Sequence, residues 1–231
     1  MISQPRLPAH GPSLEREPAP SLLDRSLLAT MNWETALYAL FILLAIVSRL
    51  WDMGARVMSH DESLHTFYSW NLSVGKGFQH TPLMHGPFLF HITALSYFLF
   101  GDSDFTARLP IAIFGIILVA VPFLFRRELG RIGALVASFA ILISPSILYH
   151  SRYIRQEGTV LMWTILSVIF VWRYMETKKL SWLLALSAVL AFHATDKSTS
   201  FLTVAMFVIF LAFVALVQFG YSKDGAGNVA T

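Results

Sequence analysis

The chain has 231 residues, 55% of them hydrophobic and 13% charged, with a mean hydropathy of +0.61. A soluble domain carries about 25% charged residues and at this length cannot hide so much apolar surface in one core, so the composition calls for an all-α polytopic membrane protein. Zero cysteines exclude a disulfide framework and a cysteine nucleophile, and the net charge of +3 is scattered through short loops, which argues against a nucleic-acid partner.

In chain order, residues 1–31 are proline-rich and mixed in charge, and are expected to form a disordered cytoplasmic tail. A transmembrane domain is then expected over residues 32–220, followed by a short polar tail over 221–231. Six apolar segments lie within it: Thr35 to Trp51, Leu109 to Phe125, Ile132 to Tyr149, Val160 to Trp172, Leu180 to Phe192 and Phe201 to Phe219. About six spanning helices are therefore expected, several at the short end of the roughly 17 to 25 residues a span needs. A seventh apolar run, Phe88 to Phe100, would reach only about 20 Å as a helix, short of a hydrocarbon core roughly 30 Å thick. If it lies along the interface, both basic loops, Arg126 to Arg131 and Arg173 to Lys179, face the cytoplasm, as the distribution of Lys and Arg in membrane proteins requires. The loops around Asp61, Glu157 and Lys197 then share the opposite face.

The first of these loops, residues 52–107, is far longer than a helix connection needs, and its aromatic and apolar stretches predict amphipathic helices on the membrane surface. It contains Ser59-His60-Asp61-Glu62-Ser63-Leu64-His65. Adjacent carboxylates near hydrocarbon need a reason, which can be proton transfer or cation binding, or else simple capping of a helix start. His60 and His65 are five apart and point about 140° from each other on a helix, so they do not form a zinc pair, whereas Asp61 and His65 share a face. The second constellation is Tyr149 through Glu157, where Arg152 and Arg155 suit a lipid phosphate through planar, bidentate donation. The alternative is interfacial anchoring with Glu157 as partner. A third is Asp196-Lys197, where Lys197 is a phosphate-compatible point charge or one half of a helix-end pair.

Taken in order, Arg49 to Arg56, His60 to His65, His85-Gly86-Pro87-Phe88-Leu89, Leu99 to Ser103 with Ala107-Arg108-Leu109, Ser144-Pro145, Ser151 to Glu157, and Lys197 resemble the GT-C membrane glycosyltransferases. The resemblance is to the branch holding protein O-mannosyltransferases, lipid A aminoarabinose transferases and the flippase-activity-associated glycosylation-cluster proteins. It implies transfer of a sugar, with inversion, from a polyprenyl-phosphate donor to a lipid or protein or glycan acceptor on the non-cytoplasmic face of the cell membrane. It also implies catalytic roles for Asp61, Glu62 and Glu157, and contacts to substrate or lipid phosphate from Arg152, Arg155, Lys197, His65 and His85. No cofactor is implied with certainty; a divalent cation would find Asp61 and Glu157 as its candidate ligands. Members of the superfamily usually continue through further spans, so a second chain supplying helices is one expectation. A non-catalytic accessory of lipid-carrier flipping is the competing one.

Overall fold

The computed structural model describes residues 32–78 and 85–227, with side chains to residue 217; of the segments expected to be tails, 1–31 and the part of 221–231 from 228 on lie outside the described residues, whereas 221–227 continue the last helix. Every regular element among them is helical: α1 (Trp33–Leu50), α2 (His60–Ser73), α3 (Phe88–Phe100), α4 (Asp104–Ala120) with a 3-10 extension over Val121–Phe125, α5 (Arg126–Ile143), α6 (Pro145–His150), α7 (Glu157–Thr177), α8 (Leu180–Asp196) and α9 (Ser200–Gly227). All six apolar segments are therefore helices. Among the described residues, four helical runs can cross a membrane by length and composition, namely Trp33–Leu50, Asp104–Ile143, Glu157–Thr177 and Ser200–Val217, while Phe88–Phe100 and Leu180–Asp196 are shorter apolar helices.

The 40-residue run Asp104–Ile143 is two antiparallel arms. Gly130 interrupts it with φ 73° and ψ 169°, a backbone conformation that glycine alone adopts at little cost. On either side, Arg126 and Arg131 reach Glu34 at the start of α1, at 2.7 and 3.6 Å. Beyond the turn, α5 runs back until Arg49, at the other end of α1, donates to the carbonyls of Ile141 and Leu142. Pro145 explains why Ile141 needs that donor, since proline has no N–H to offer the carbonyl four residues before it. The chain therefore breaks into α5 and α6 at Ser144, where the hydrophobic pattern alone reads as one continuous segment. Arg49 is wholly buried in this role.

A second proline is handled the same way. Pro110 sits inside α4 and frees the carbonyl of Thr106, which accepts instead from the Ser96 hydroxyl of α3 at 2.6 Å. That bond ties α3 to α4, as does a core of Leu89, Tyr97, Ala107, Ile111 and Ile154. The long loop is thus built from two real helices, α2 and α3, whose connection turns at Gly75 and Gly77, both with φ 83°.

The turn after α6 lies directly against α4. A Cβ at Gly115 would overlap the side chain of Ser151, itself buried and donating to the Ile147 carbonyl. Gly115→Ala is expected to lower stability by about 1–3 kcal/mol, the usual cost of overpacking, and Ser151→Gly in the same chain to restore much of the loss. Thermal unfolding of the two single variants and the double variant in detergent checks this; additive losses would contradict it.

Candidate active site

At the end of the bundle away from Glu34, Ser59 caps α2. Its hydroxyl accepts from the Glu62 amide at 3.4 Å, and the Glu62 carboxylate accepts from the Ser59 amide at 3.1 Å, a reciprocal capping box. Capping is only a small part of what Glu62 does. It is wholly buried and accepts from Arg108 through Nε at 2.9 Å and Nη2 at 3.2 Å, from Arg56 at 2.9 Å and from the Ile154 amide at 3.4 Å. Arg108 is buried too and donates further to the carbonyls of Met53 and Arg56. Burial pushes the Glu62 carboxyl upward, but the Arg108 bonds, the Ser59 amide and the Arg56 charge together hold it below the usual carboxylate range. Glu62 is thus placed as the anchor of the site, one residue from Asp61.

Asp61 turns the other way and stays half exposed, with its carboxylate on the Arg155 guanidinium. Arg155 also approaches Glu157 at 3.6 Å, and Glu157 accepts from Lys197 at 3.0 Å. Residues 61, 155, 157 and 197, from three separate loops, therefore form one chain of alternating charge, two negative and two positive. Each of the four side chains keeps a partly exposed surface, between 18% and 49%.

His65 lies one turn beyond Asp61 on α2 and is buried beside Phe90, with ring centroids 5.2 Å apart. It makes no hydrogen bond to Asp61. Burial first, then the charges of Arg155 and His85, push its imidazole down to about 4, so it is neutral at physiological pH. His85 sits in a left-handed backbone conformation, φ 61°, with its imidazole lowered by burial and by Lys197 and Arg155. The next residue, Gly86, donates its amide to the Asp196 carbonyl at 3.0 Å. A Cβ at Gly86 would overlap the Thr195 carbonyl, so only glycine permits this approach. Asp196 is itself buried, its carboxylate taking the Trp163 indole N–H at 3.0 Å. This clasp fixes Lys197, the next residue, over Glu157.

Arg152 is not part of that chain. It donates to the carbonyls of Ser48 and Trp51 at 3.1 and 2.7 Å, completing the end of α1. Of the residues that sequence reasoning did not single out, Arg108 matters most. An arginine one turn into an apolar helix signals a buried partner, but the partner lies 46 positions away. Among the described residues no three His, Asp or Glu side chains converge in a metal-binding group, and Asp61 and Glu157 are joined through Arg155.

Two outcomes follow for the Glu62 anchor. Glu62→Ala leaves Arg108 buried and uncompensated, and is expected to cost about 3–5 kcal/mol in detergent unfolding. Because the Glu62 carboxyl is held below its unfolded value, its contribution is full above that value of about 4.3 and is lost as pH falls further. The stability gap between the native chain and Glu62→Gln should therefore narrow only below about pH 4.3; a gap that narrowed between pH 5 and 8 would contradict the assignment.

The family model of dolichyl-phosphate-mannose-protein mannosyltransferases matches residues 84–220, more than half of the chain. No curated protein matches. Among solved structures, the crystal structure of ArnT from Cupriavidus metallidurans in the apo state superposes with a TM-score of 0.65 at 20% identity, covering 80% of this chain and 36% of that one. This chain thus spans about a third of the length of ArnT, and the likeness is one of fold. The matched stretch includes His85, Arg155, Glu157 and Lys197, and the chain belongs to the dolichyl-phosphate-mannose-protein mannosyltransferase family, among the GT-C membrane glycosyltransferases.

Proposed function

We propose that this chain forms the catalytic part of a glycosyltransferase that moves a sugar from a polyprenyl-phosphate carrier to an acceptor hydroxyl, with inversion, at the non-cytoplasmic face of the cell membrane. The observation that carries the reading is Arg155, which touches both Asp61 and Glu157 while Lys197 holds Glu157 from the other side. Six passes, α1, α4, α5, α7, α8 and α9, with α2 and α3 along the interface, put both basic loops in the cytoplasm and this cluster outside. The reversal at Gly130 and the 17-residue length of α8 support that arrangement.

In this reading Asp61 is the general base. The acceptor oxygen attacks the anomeric carbon as its proton passes to Asp61, the bond from that carbon to the phosphate oxygen breaks, and the carrier phosphate leaves with the bonding pair. Arg155 and Lys197 receive the charge that develops on the phosphate. Arg155 has a double duty. It holds one oxygen of the Asp61 carboxylate, and a donor phosphate that draws the guanidinium away releases that oxygen only when substrate is present. His65 and His85 stand close enough to Arg155 to feel its charge and are candidate hydrogen-bonding groups for substrate, and Glu157 keeps Lys197 in place. Glu62 supports Asp61 by position.

Asp61→Asn keeps the side chain's shape but cannot take a proton, so turnover should fall about 10²- to 10⁴-fold while carrier binding survives. Arg155→Ala should weaken binding of the phosphorylated carrier and leave the dephosphorylated alcohol unaffected. Purified protein in nanodiscs with labelled polyprenyl-phosphate sugars checks both. Undiminished transfer by Asp61→Asn, or carrier binding without any transfer by the native chain, would overturn the reading.

A further inference from the structure

A cavity of about 530 Å³ lies at the other end of the bundle, between the turn from α4 into α5 and the turn from α7 into α8. Four cations line it: Arg126 and Arg127 at the start of α5, Arg173 in the last turns of α7, and Lys179 just before α8. Among the described residues no carboxylate lines it. Its remaining wall is apolar and aromatic, with Phe123, Ile169, Phe170 and Trp182. Phe170 packs on Trp182 with ring centroids 5.9 Å apart. The 21 residues of α7 separate this cavity from the reacting cluster, since Glu157 begins that helix and Thr177 ends it, about 30 Å away at 1.5 Å per residue.

Two of the four cations are structural. Arg173 donates to the Leu124 carbonyl at 2.9 Å and pairs with Glu128 at 3.0 Å and Glu176 at 3.1 Å, which pins α7 to the start of α5. Arg126 pairs with Glu34 at 2.7 Å. Those contacts engage the acids of α1, α5 and α7 at this end, and neither Arg127 nor Lys179 ion-pairs with an acid among the described residues. Both are exposed. The preceding lysine is disposed differently: Lys178 takes a left-handed backbone conformation, φ 54°, lays its ammonium over the Tyr174 ring at 5.6 Å and does not line the cavity. The cavity therefore has two spare positive charges at its rim and an aromatic wall beside them.

We propose that this cavity holds an anionic phospholipid of the leaflet that borders it, with the phosphodiester between Arg127 and Lys179 and an acyl chain against Phe170 and Trp182. The lipid is a bound structural ligand, a helix length away from the chemistry, and is not a substrate. Both halves of the site are needed for that occupant. Guanidinium and ammonium groups donate charge-assisted hydrogen bonds to phosphate oxygens, and a basic pocket between membrane helices suits an acidic headgroup. A free phosphate would engage the same cations and leave the aromatic wall bare, whereas an acyl chain covers it. In the six-pass arrangement proposed above, the bordering leaflet is the cytoplasmic one, where anionic lipids collect.

The test is binding of dioleoyl phosphatidylglycerol to the full chain in detergent, read by native mass spectrometry, with dioleoyl phosphatidylcholine as the zwitterionic control of equal chain length. The native chain should retain one phosphatidylglycerol in preference to phosphatidylcholine. Arg127→Gln and Lys179→Gln should each weaken that binding about tenfold, the worth of one charge-assisted hydrogen bond. Lys178→Gln removes the same charge one residue away, outside the cavity, and should bind as the native chain does; so should Lys179→Arg. Soluble glycerol 3-phosphate, which has the phosphate and no acyl chain, should not displace the lipid at equal concentration. Equal retention of both lipids, equal losses in Lys178→Gln and Lys179→Gln, or displacement by glycerol 3-phosphate would overturn the proposal, as an absent anion preference, a diffuse charge effect or a free-anion site respectively. Arg127 and Lys179 are exposed, so both variants are expected to unfold at the native temperature in lipid-free detergent. The assay reads no sugar transfer, so its failure is separable from failure of the Asp61→Asn turnover test.

Discussion

A buried carboxylate between two arginines organises this end of the molecule. Removing Glu62 and Arg108 from water is costly, and their attraction offsets that cost only because nearly every lone pair and N–H in the group is satisfied. Satisfying them draws together the start of α2, the first turns of α4, the segment after α1 and the backbone at Ile154. Those are the segments that carry Asp61, Arg56 and Arg155. Consequently the half-exposed residues of the site inherit their positions from a carboxylate that itself stays out of contact with the opening.

The two ends of α1 show how the same fold handles unsatisfied backbone. Arg49 and Arg152 both donate to carbonyls that helix ends leave open, one at the break before Pro145 and the other at the end of α1. At the opposite end, Glu34 receives Arg126 and Arg131 from the two sides of the Gly130 reversal. Long-range charge contacts therefore fix the vertical register of α1, α4 and α5, while apolar contacts such as Ala45 with Val119 and Leu142 set their lateral packing.

Much of this was legible in the sequence. Apolar runs bounded by charges marked every long helix, and the stretch from Ser59 to Glu62 was legible as the capped start of a helix, with Ser59 as the cap. The polar groups at Asp61, Arg155, Glu157 and Lys197 were recognisable as one-sided, and they meet. What the pattern could not supply was pairing across distance. Nothing local distinguishes Arg155, which reaches Asp61, from Arg152, three residues earlier, which reaches the end of α1. The division of labour between Asp61 and Glu62 is likewise invisible until Arg108 is placed. The segment Ile132 to Tyr149 read as one span because hydrophobicity runs through Ser144-Pro145, although the proline there carried the signal for a break. In α7 the helix extends to 21 residues because polar Glu157 and Thr177 end it, where apolar content alone suggested thirteen.

The central claim is that the carrier phosphate binds between Arg155 and Lys197 with the anomeric carbon turned toward Asp61. The most direct measurement is a cryo-electron microscopy structure of the full chain in nanodiscs with a non-cleavable polyprenyl-phosphonate sugar. Phosphonate oxygens within hydrogen-bonding distance of Arg155 and Lys197, with the Asp61 carboxylate released from Arg155, is the result expected. Density for the phosphonate in the cavity lined by Arg56 and Arg152, or at the Glu34 end of the bundle, would contradict the account.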